Sequence, residues 1–513
     1  MSTPADACAR LVEALRRLLA RYAGGPVELV ETHISCILLT PAEAYKLKKP
    51  LRLPFADFST PAARRHFCEE ELRLNRRFAP ALYLDVLPVC GSVEAPRLGG
   101  DGEAIDWVLR MRRFPAGSEF DALARSGALA ALDVDRFAHR LARFQAEAPL
   151  AAPDSAWGTP VQVAQTIAGV FDALAPLLDD AQGVRLRRLR AWVDARQPAL
   201  AALWSARRTA GWVREGHGDL HLANVVRWGG EVTAFDCIEF SPDLRWIDTL
   251  ADAAFFAMDL RAHGRAGLAW RFLDTYLADT GDYGGLAVLR PYEIYRALVR
   301  EMAGRMRDAQ GAPPAARPDY LACAEALAAP TQPRLLITHG LSGSGKSTVA
   351  AALLQAAGAV RLRSDVERKR LFGLPALADS GAQGIDIYTP EATRRTFERL
   401  REGARTALEA GYMVIVDAAF LRRRERDAFH ALARERGVPF SILHCHAGVP
   451  QLRERVQHRR AAGGDPSEAD LRVLARQQET AEPLAPDECA VALDVATDAA
   501  WSAEALCERW MAA

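Results

Sequence analysis

Residues Gly340-Leu-Ser-Gly-Ser-Gly-Lys-Ser-Thr348 contain a complete G-x-x-x-x-G-K-[ST] pattern, and the flanking sequence puts it in the right setting. An apolar stretch, Arg334-Leu-Leu-Ile-Thr-His339, precedes it and reads as a strand. A helix-forming stretch, Val349-Ala-Ala-Ala-Leu-Leu-Gln-Ala-Ala357, follows it. That order suits a phosphate cradle: glycines let successive backbone N–H groups curl around an anion, and the helix N-terminus adds its positive dipole. In this reading Gly340, Leu341, Ser342, Gly343, Ser344, Gly345, Lys346, Ser347 and Thr348 wrap the phosphates of a nucleoside triphosphate. Lys346 reaches the β- and γ-phosphates, and the Ser347 hydroxyl binds Mg²⁺.

Downstream, five apolar strands are expected at Leu335–Thr338, Ala359–Leu362, Tyr412–Val416, Phe440–Cys445 and Val491–Val495. Helical segments separate most of them, which predicts a parallel sheet with right-handed crossovers. Polar residues gather at the strand ends. Asp365, after the second strand, is the candidate acceptor-side base, although aspartate at such a turn also caps helices. Asp417, after the third, would join Ser347 around Mg²⁺. Arg455 and Arg459 lie one helical turn apart, followed by Gly463-Gly464 and Ser467, as a hinged lid would require; the same pair also fits an exposed amphipathic helix.

The loop starts two-thirds of the way along 513 residues, a length that suggests about three folding units. The chain has 65 basic and 65 acidic residues, which argues against broad electrostatic binding to nucleic acid or to an anionic membrane. Its nine cysteines include no C-x-x-C pair, the pattern of reduced thiols in a cytoplasm. Residues 1–22 carry charges at helical spacing and lack the apolar stretch of a signal peptide, and no apolar run approaches a membrane span. The expectation is a soluble cytoplasmic protein. Gly311-Ala-Pro-Pro-Ala-Ala-Arg-Pro318 and Ala329-Pro330-Thr-Gln-Pro333 mark a linker, with a short helix expected at Asp319–Ala328 and the main boundary near 330.

A second motif lies upstream: His217-Gly-Asp-Leu-His-Leu-Ala-Asn224, with Asp236 twelve residues further on in Thr233-Ala-Phe-Asp-Cys-Ile-Glu-Phe240. The spacing is that of a kinase catalytic loop, in which an aspartate accepts the substrate hydroxyl's proton, an asparagine holds Mg²⁺ and a later aspartate holds the bridging metal. Asp219, Asn224 and Asp236 take those positions. A lysine on a strand and a carboxylate on a helix must then lie upstream. Residues 34–39 and 44–49 read as paired strands, and Lys46 and Lys48 share one face of the second. Either could hold the α- and β-phosphates, with Lys46 preferred. Ser59-Thr60-Pro61 opens a helix whose apolar stripe of Phe67, Leu74 and Phe78 includes Glu71, the expected partner of Lys46. A strand over Trp107–Phe114 leads to a hinge at Pro115-Ala-Gly-Ser118, and both Arg245–Asp248 and Asp252–Leu260 read as helical.

The form H-G-D-x-H-x-x-N resembles the aminoglycoside-phosphotransferase and choline-kinase branch of the kinase-like fold. With Glu31-Thr-His-Ile-Ser35, Tyr45-Lys-Leu-Lys-Lys-Pro50, Glu71-Leu-Arg-Leu-Asn-Arg-Arg77 and Phe235-Asp-Cys-Ile-Glu-Phe240, nearly the whole chain is similar to a bacterial fusion of such a domain with a P-loop kinase. Ser364-Asp-Val-Glu-Arg-Lys-Arg370 and Val416-Asp-Ala-Ala419 place the P-loop part near gluconate kinases and zeta-toxin kinases. The resemblance implies an α+β bilobal protein-kinase-like N-terminal domain over 1–330, with an N-lobe at about 25–113, a C-lobe at about 115–310 and a linker at 311–333. It also implies an α/β P-loop NTPase domain over 334–513 with a five-stranded parallel sheet. The expected cofactors are ATP, with GTP left open, and Mg²⁺; the expected partners are small molecules bearing a hydroxyl acceptor. A ligand-sensing regulatory ATPase and a toxin-like kinase of sugar nucleotides are the alternatives.

Overall fold

The computed structural model describes residues 4–53, 56–309, 317–462 and 464–513. Residues 311–316 of the expected linker and Gly463 of the expected lid hinge lie outside the described residues. By its contacts the chain divides into two compact units, Met1–Asp133 with Arg143–Thr166 and Ala201–Asp259, and Val134–Ala142 with Ile167–Leu200 and Leu260–Ala513. This division runs differently from a boundary near 330. Residues 260–309, upstream of the linker, cluster with the phosphate-loop sheet, and Trp270 packs against the core formed by Leu336, Val349 and Leu353.

In the first unit, strands β1 (Glu28–Glu31), β2 (Ser35–Leu39), β3 (Glu43–Lys48), β4 (Tyr83–Gly91), β5 (Pro96–Leu98) and β6 (Ala104–Arg112) form one antiparallel sheet in the order β1-β2-β3-β6-β4-β5. Alternation along β3 decides its faces: Tyr45 and Leu47 join a core with Leu11, Leu15 and Leu19 of helix α1 (Pro4–Ala23), while Lys46 and Lys48 point to the other side. Helix α2 (Pro61–Arg76) starts as its sequence predicts, with Pro61 in the first turn and the Thr60 hydroxyl accepting from Ala63 N at 3.1 Å. Its buried stripe includes Cys68, Leu74 and Glu71.

Further along, β7 (Val213–Glu215), β8 (Val225–Trp228) and β9 (Glu231–Ala234) frame the second motif, with β8 and β9 forming a hairpin. Residues 245–248, expected to be helical, differ. A single turn ends at Arg245, and β10 (Trp246–Asp248) pairs antiparallel with β7. Bulky Trp246 and Ile247 fit a pleated edge better than a helix. The helix expected at 252–260 is present as Thr249–Ala262.

In the second unit, α3 (Ala266–Thr280) and α4 (Leu286–Ala309) precede the phosphate-loop strand, and the short helix expected in the linker segment is Tyr320–Ala328. Strands β11 (Leu335–His339), β12 (Ala359–Arg363), β13 (Met413–Asp417), β14 (Phe440–His446) and β15 (Ala492–Ala496) make an all-parallel sheet in the order β12-β13-β11-β14-β15. All five lie where the sequence places them. The α+β architecture expected for the first part of the chain and the α/β architecture with a five-stranded parallel sheet expected for the second are those observed. Cys8, Cys36, Cys68, Cys90, Cys237, Cys445, Cys489 and Cys507 are free thiols, and among the described residues no helix is long and apolar enough to cross a membrane.

Candidate functional site

The first site is built on β3, α2 and the segment after β9. Lys46 Nζ lies 2.7 Å from Glu71 Oε1 and 2.6 Å from Asp236 Oδ1. Lys48 Nζ lies 2.7 Å from Glu71 Oε2 and also donates to Glu239. One carboxylate thus receives both lysines that the sequence left as alternatives. Glu71 is fully buried and Lys48 is 1% exposed, so each charge depends on its partners. Burial pushes the Glu71 carboxyl up, but the two ammoniums outweigh it and hold it at about 2. Burial also pushes Glu239 up, and there the effect exceeds the pull of Lys48.

The His217–Asn224 motif folds beside this cluster. Burial pushes the His217 imidazole below its ordinary range, which keeps the ring neutral. Its Nε2 lies 2.9 Å from Phe235 O, and its Nδ1 accepts from Asp219 N at 3.3 Å. Asp252 caps the loop by accepting from His217 N (2.7 Å) and Gly218 N (3.0 Å). Gly218 has φ 86°, and a Cβ there would lie 2.7 Å from Leu244 O, so only glycine fits. Asn224 Nδ2 donates to Asp219 Oδ2 at 3.2 Å, and His221 Nε2 lies 3.4 Å from the same oxygen. Asp236 takes a left-handed backbone (φ 63°), and its N–H donates to the Tyr83 hydroxyl at 3.0 Å. It lies two residues beyond the end of β9.

The second site surrounds the glycine-rich loop. Gly340, Gly343 and Gly345 have φ of 150°, 82° and 80°. A Cβ on Gly340 would lie 2.3 Å from Cys445 O, and one on Gly343 2.6 Å from Leu452 O. Helix α5 (Lys346–Ala357) begins at the motif lysine. Lys346 Nζ lies 3.5 Å from Leu341 O, Ser342 N donates to Gln477 Oε1 at 2.8 Å, and Thr348 is exposed. The Ser347 hydroxyl donates to Asp417 Oδ1 at 3.1 Å. Asp417 is 4% exposed, and its other oxygen is buried without a hydrogen bond.

An unbonded buried carboxylate oxygen beside a serine hydroxyl suits Mg²⁺, a hard cation that takes few protein ligands and completes its shell with phosphate and water. Among the described residues no group of three or more histidine, cysteine or carboxylate side chains is arranged as a self-contained metal centre. In the first unit, Asp236 and Asn224 are the corresponding oxygen-bearing side chains.

The remaining sequence candidates are placed as follows. Asp365 is half-buried near the start of helix Ser364–Leu371, within electrostatic reach of Arg368 and Tyr388. Arg455 and Arg459 lie on α6 (Val449–Ala462). Arg455 donates to Gly343 O (3.3 Å), Thr497 Oγ1 (2.8 Å) and Thr497 O (2.9 Å), while Arg459 donates to Ala469 O (3.0 Å). Among the described residues no hydrogen bond or ion pair joins either arginine to Asp365 or Asp417. A cavity of about 280 Å³ adjoins Gly340 and Leu341 and is lined by His339, His444 and His446. It takes in three residues of the glycine-rich loop, Gly340, Leu341 and Ser344, but not Lys346, Asp365 or Asp417.

Sequence reasoning did not single out Glu239, Tyr83, Arg361 or Gln477. Glu239 lies in the Phe235–Phe240 stretch without a signal of its own, and no local signal marked the other three.

Residues 335–484 match the family model described as the AAA domain, a span that includes the loop, Asp417 and the α6 arginines. Over 464 residues the chain is 29% identical to an uncharacterized protein of Mycobacterium tuberculosis, covering 88% of this chain and 90% of that one. An uncharacterized protein of Mycobacterium bovis matches with the same figures. Among solved structures, a sugar kinase from Janibacter is similar at 24% identity, over 35% of this chain and 93% of its own, with a TM-score of 0.27. A choline/ethanolamine kinase family protein from Mesorhizobium loti is similar at 14% identity, over 62% of this chain and 92% of its own, with a TM-score of 0.35.

Proposed function

We propose that this chain is a phosphotransferase with two ATP-dependent centres, each moving the γ-phosphoryl group of ATP to a hydroxyl of a small molecule. The observation that carries the reading is the double engagement of Lys46, 2.7 Å from Glu71 and 2.6 Å from Asp236. It joins the strand lysine, the helix carboxylate and the metal-side carboxylate of a kinase in one cluster. In the first centre Asp219 accepts the proton of the acceptor hydroxyl, held in place by Asn224 and by the Nδ1 of His217. Lys46 positions the α- and β-phosphates, and Asp236 with Asn224 holds Mg²⁺. In the second, the 340–347 loop and Lys346 grip the phosphates, Ser347 and Asp417 hold Mg²⁺, and Asp365 is the base. When bound, Mg²⁺ offsets charge on the transferred group; the protein's part is to orient the phosphates, aim the hydroxyl and exclude water.

In functional terms we infer a kinase-like domain over 1–330 and a P-loop kinase domain over 334–513, working in the cytoplasm. Calorimetry of the full chain with a nonhydrolysable ATP analogue and Mg²⁺ tests the reading. Two nucleotide sites are expected, one removed by Lys346→Ala and the other by Lys46→Met. A single site in the wild-type chain would defeat it. Screening hydroxylated metabolites for ADP release then identifies the acceptors.

A further inference from the structure

Arg361 lies in the middle of β12 and is 7% exposed. Its strongest partner is Asp274 on α3, gripped by two nearly parallel bonds, Nε–Oδ1 at 3.1 Å and Nη2–Oδ2 at 2.7 Å. The third nitrogen, Nη1, donates to the backbone carbonyl of Ser347 at 3.1 Å. That same Nη1 stands 3.5 Å from Asp417 Oδ2, beyond the length of a charge-assisted hydrogen bond. Arg363 Nε is further away, at 3.9 Å. The Tyr283 hydroxyl donates to Arg361 O at 3.4 Å, a second tie between β12 and the residues just after α3.

The oxygen at issue is therefore buried, faces a full positive charge, and is left without a hydrogen bond. The cause is geometric. A guanidinium held by two bonds to one carboxylate has its plane fixed, and its remaining donor is directed to Ser347 O. Were Asp274 neutral, only the single bond to Ser347 O would hold that plane, and a rotation closing a few tenths of an ångström would pair Arg361 with Asp417. The cation would then compete with Mg²⁺ for the same oxygen.

We propose that Asp274 is a positioning residue for the nucleotide site of the second unit: it holds Arg361 away from Asp417 and thereby sets the magnesium affinity of that site from helix α3. This rests on the reading of 340–347, Ser347 and Asp417 as a magnesium–nucleotide site. Asp274 lies upstream of the linker, so the P-loop sheet and its following helices do not contain the whole device.

The experiment uses the full chain and an ATP analogue, with the second-unit site identified as the isotherm that Lys346→Ala removes. Absence of any such isotherm in the wild type overturns the underlying reading, and the proposal with it. Given that isotherm, Asp274→Asn is expected to raise the Mg²⁺ concentration for half-maximal tight binding at least about fivefold, within the range of coupling between contacting charged residues. Affinity in EDTA should stay within about twofold, because the loop's own contacts are untouched. The double variant Asp274→Asn/Arg361→Gln removes the competing cation and should bring the Mg²⁺ requirement back toward wild type. An unchanged Mg²⁺ requirement in Asp274→Asn, an equal loss of affinity in EDTA, or a double variant as impaired as the single one overturns the proposal. If Asp274→Asn does not fold, Arg361→Lys keeps the charge but cannot make the two-bond grip. Its Mg²⁺ requirement must also rise, and an unchanged value is equally fatal.

Discussion

Replacing Glu71 with glutamine removes one negative charge from a pocket that holds two buried ammoniums. Glu71 Oε1 and Oε2 each accept from a lysine at 2.7 Å. Glutamine can accept only one of these bonds, and its NH₂ group would face the other ammonium, donor against donor. A hydrogen bond to a charged group contributes about 1.5–3 kcal/mol. An independent route gives a similar figure: a carboxyl held at about 2 instead of 4.5 corresponds to about 3 kcal/mol of stability at neutral pH. Lys46 keeps Asp236 and Lys48 keeps Glu239, so neither ammonium is orphaned and the loss stays near 3 kcal/mol. The sign follows from the direction of the shift. Because the folded value lies below the unfolded one, the stabilisation is complete above about pH 4.5 and is lost as pH falls through about 2. Hydrogen exchange on the amides of β3 and α2, compared between wild type and Glu71→Gln, measures the difference locally, without assuming that the whole chain unfolds at once. A difference under about 1 kcal/mol at neutral pH would refute the reasoning, as would a difference that does not shrink across that acidic window.

Lys346→Ala should lower phosphotransfer dependent on the second site at least about tenfold, a barrier change of about 1.4 kcal/mol, and steady-state kinetics with an identified acceptor check this. Asp219→Asn should leave ATP affinity at the first site close to wild type while abolishing transfer there, since it removes the proton acceptor but no phosphate contact; equal activity in the variant would make the motif structural. Gly340→Ala should weaken nucleotide binding at the second site more than about tenfold, because its Cβ would lie 2.3 Å from Cys445 O and 2.6 Å from Ser344 Oγ in a loop that cannot widen without moving its amides; calorimetry reads the loss.

The parts of this molecule legible in the sequence are those whose chemistry is local. The phosphate loop, its strand and its helix follow one another without interruption, so pattern and structure coincide. The pairing of Lys46 with Glu71 was also accessible, because strand alternation fixes the face of one and a helical stripe fixes that of the other. The helical stripe is apolar, so a carboxylate on it needs a partner. Glu239 shows where such reasoning stops. It reaches Lys48 because Asp236 adopts a left-handed backbone that redirects the chain, and nothing in Asp-Cys-Ile-Glu announces that turn. Asp274 and Arg361 are 87 positions apart; one reads as a polar helix residue and the other as an interruption in an apolar strand. The three residues of β10 are too few for a period of two to be told from a turn of helix, and their pairing with β7 is a tertiary fact.

Both sites share a feature that bears on nucleotide affinity: the groups assigned to phosphate or metal already have partners within the protein. In the first unit Lys46 bridges Glu71 and Asp236, so the phosphate-side lysine and the metal-side carboxylate neutralise each other. In the second, the Ser342 amide donates to Gln477 and the Lys346 ammonium lies 3.5 Å from a loop carbonyl. An entering nucleotide exchanges these contacts instead of adding to a bare surface, so its affinity is a difference between two sets of bonds. The exchange is coupled in the first unit. Once Lys46 turns to the phosphates, Asp236 is left with no ammonium, and a divalent cation becomes the partner that restores its charge balance. Three carboxylates, Glu71, Asp236 and Glu239, stand against two ammoniums there, with Glu71 and Glu239 buried and Asp236 partly open to solvent. Nucleotide and Mg²⁺ should therefore bind this site with positive cooperativity, each strengthening the other by the same factor, as linkage requires.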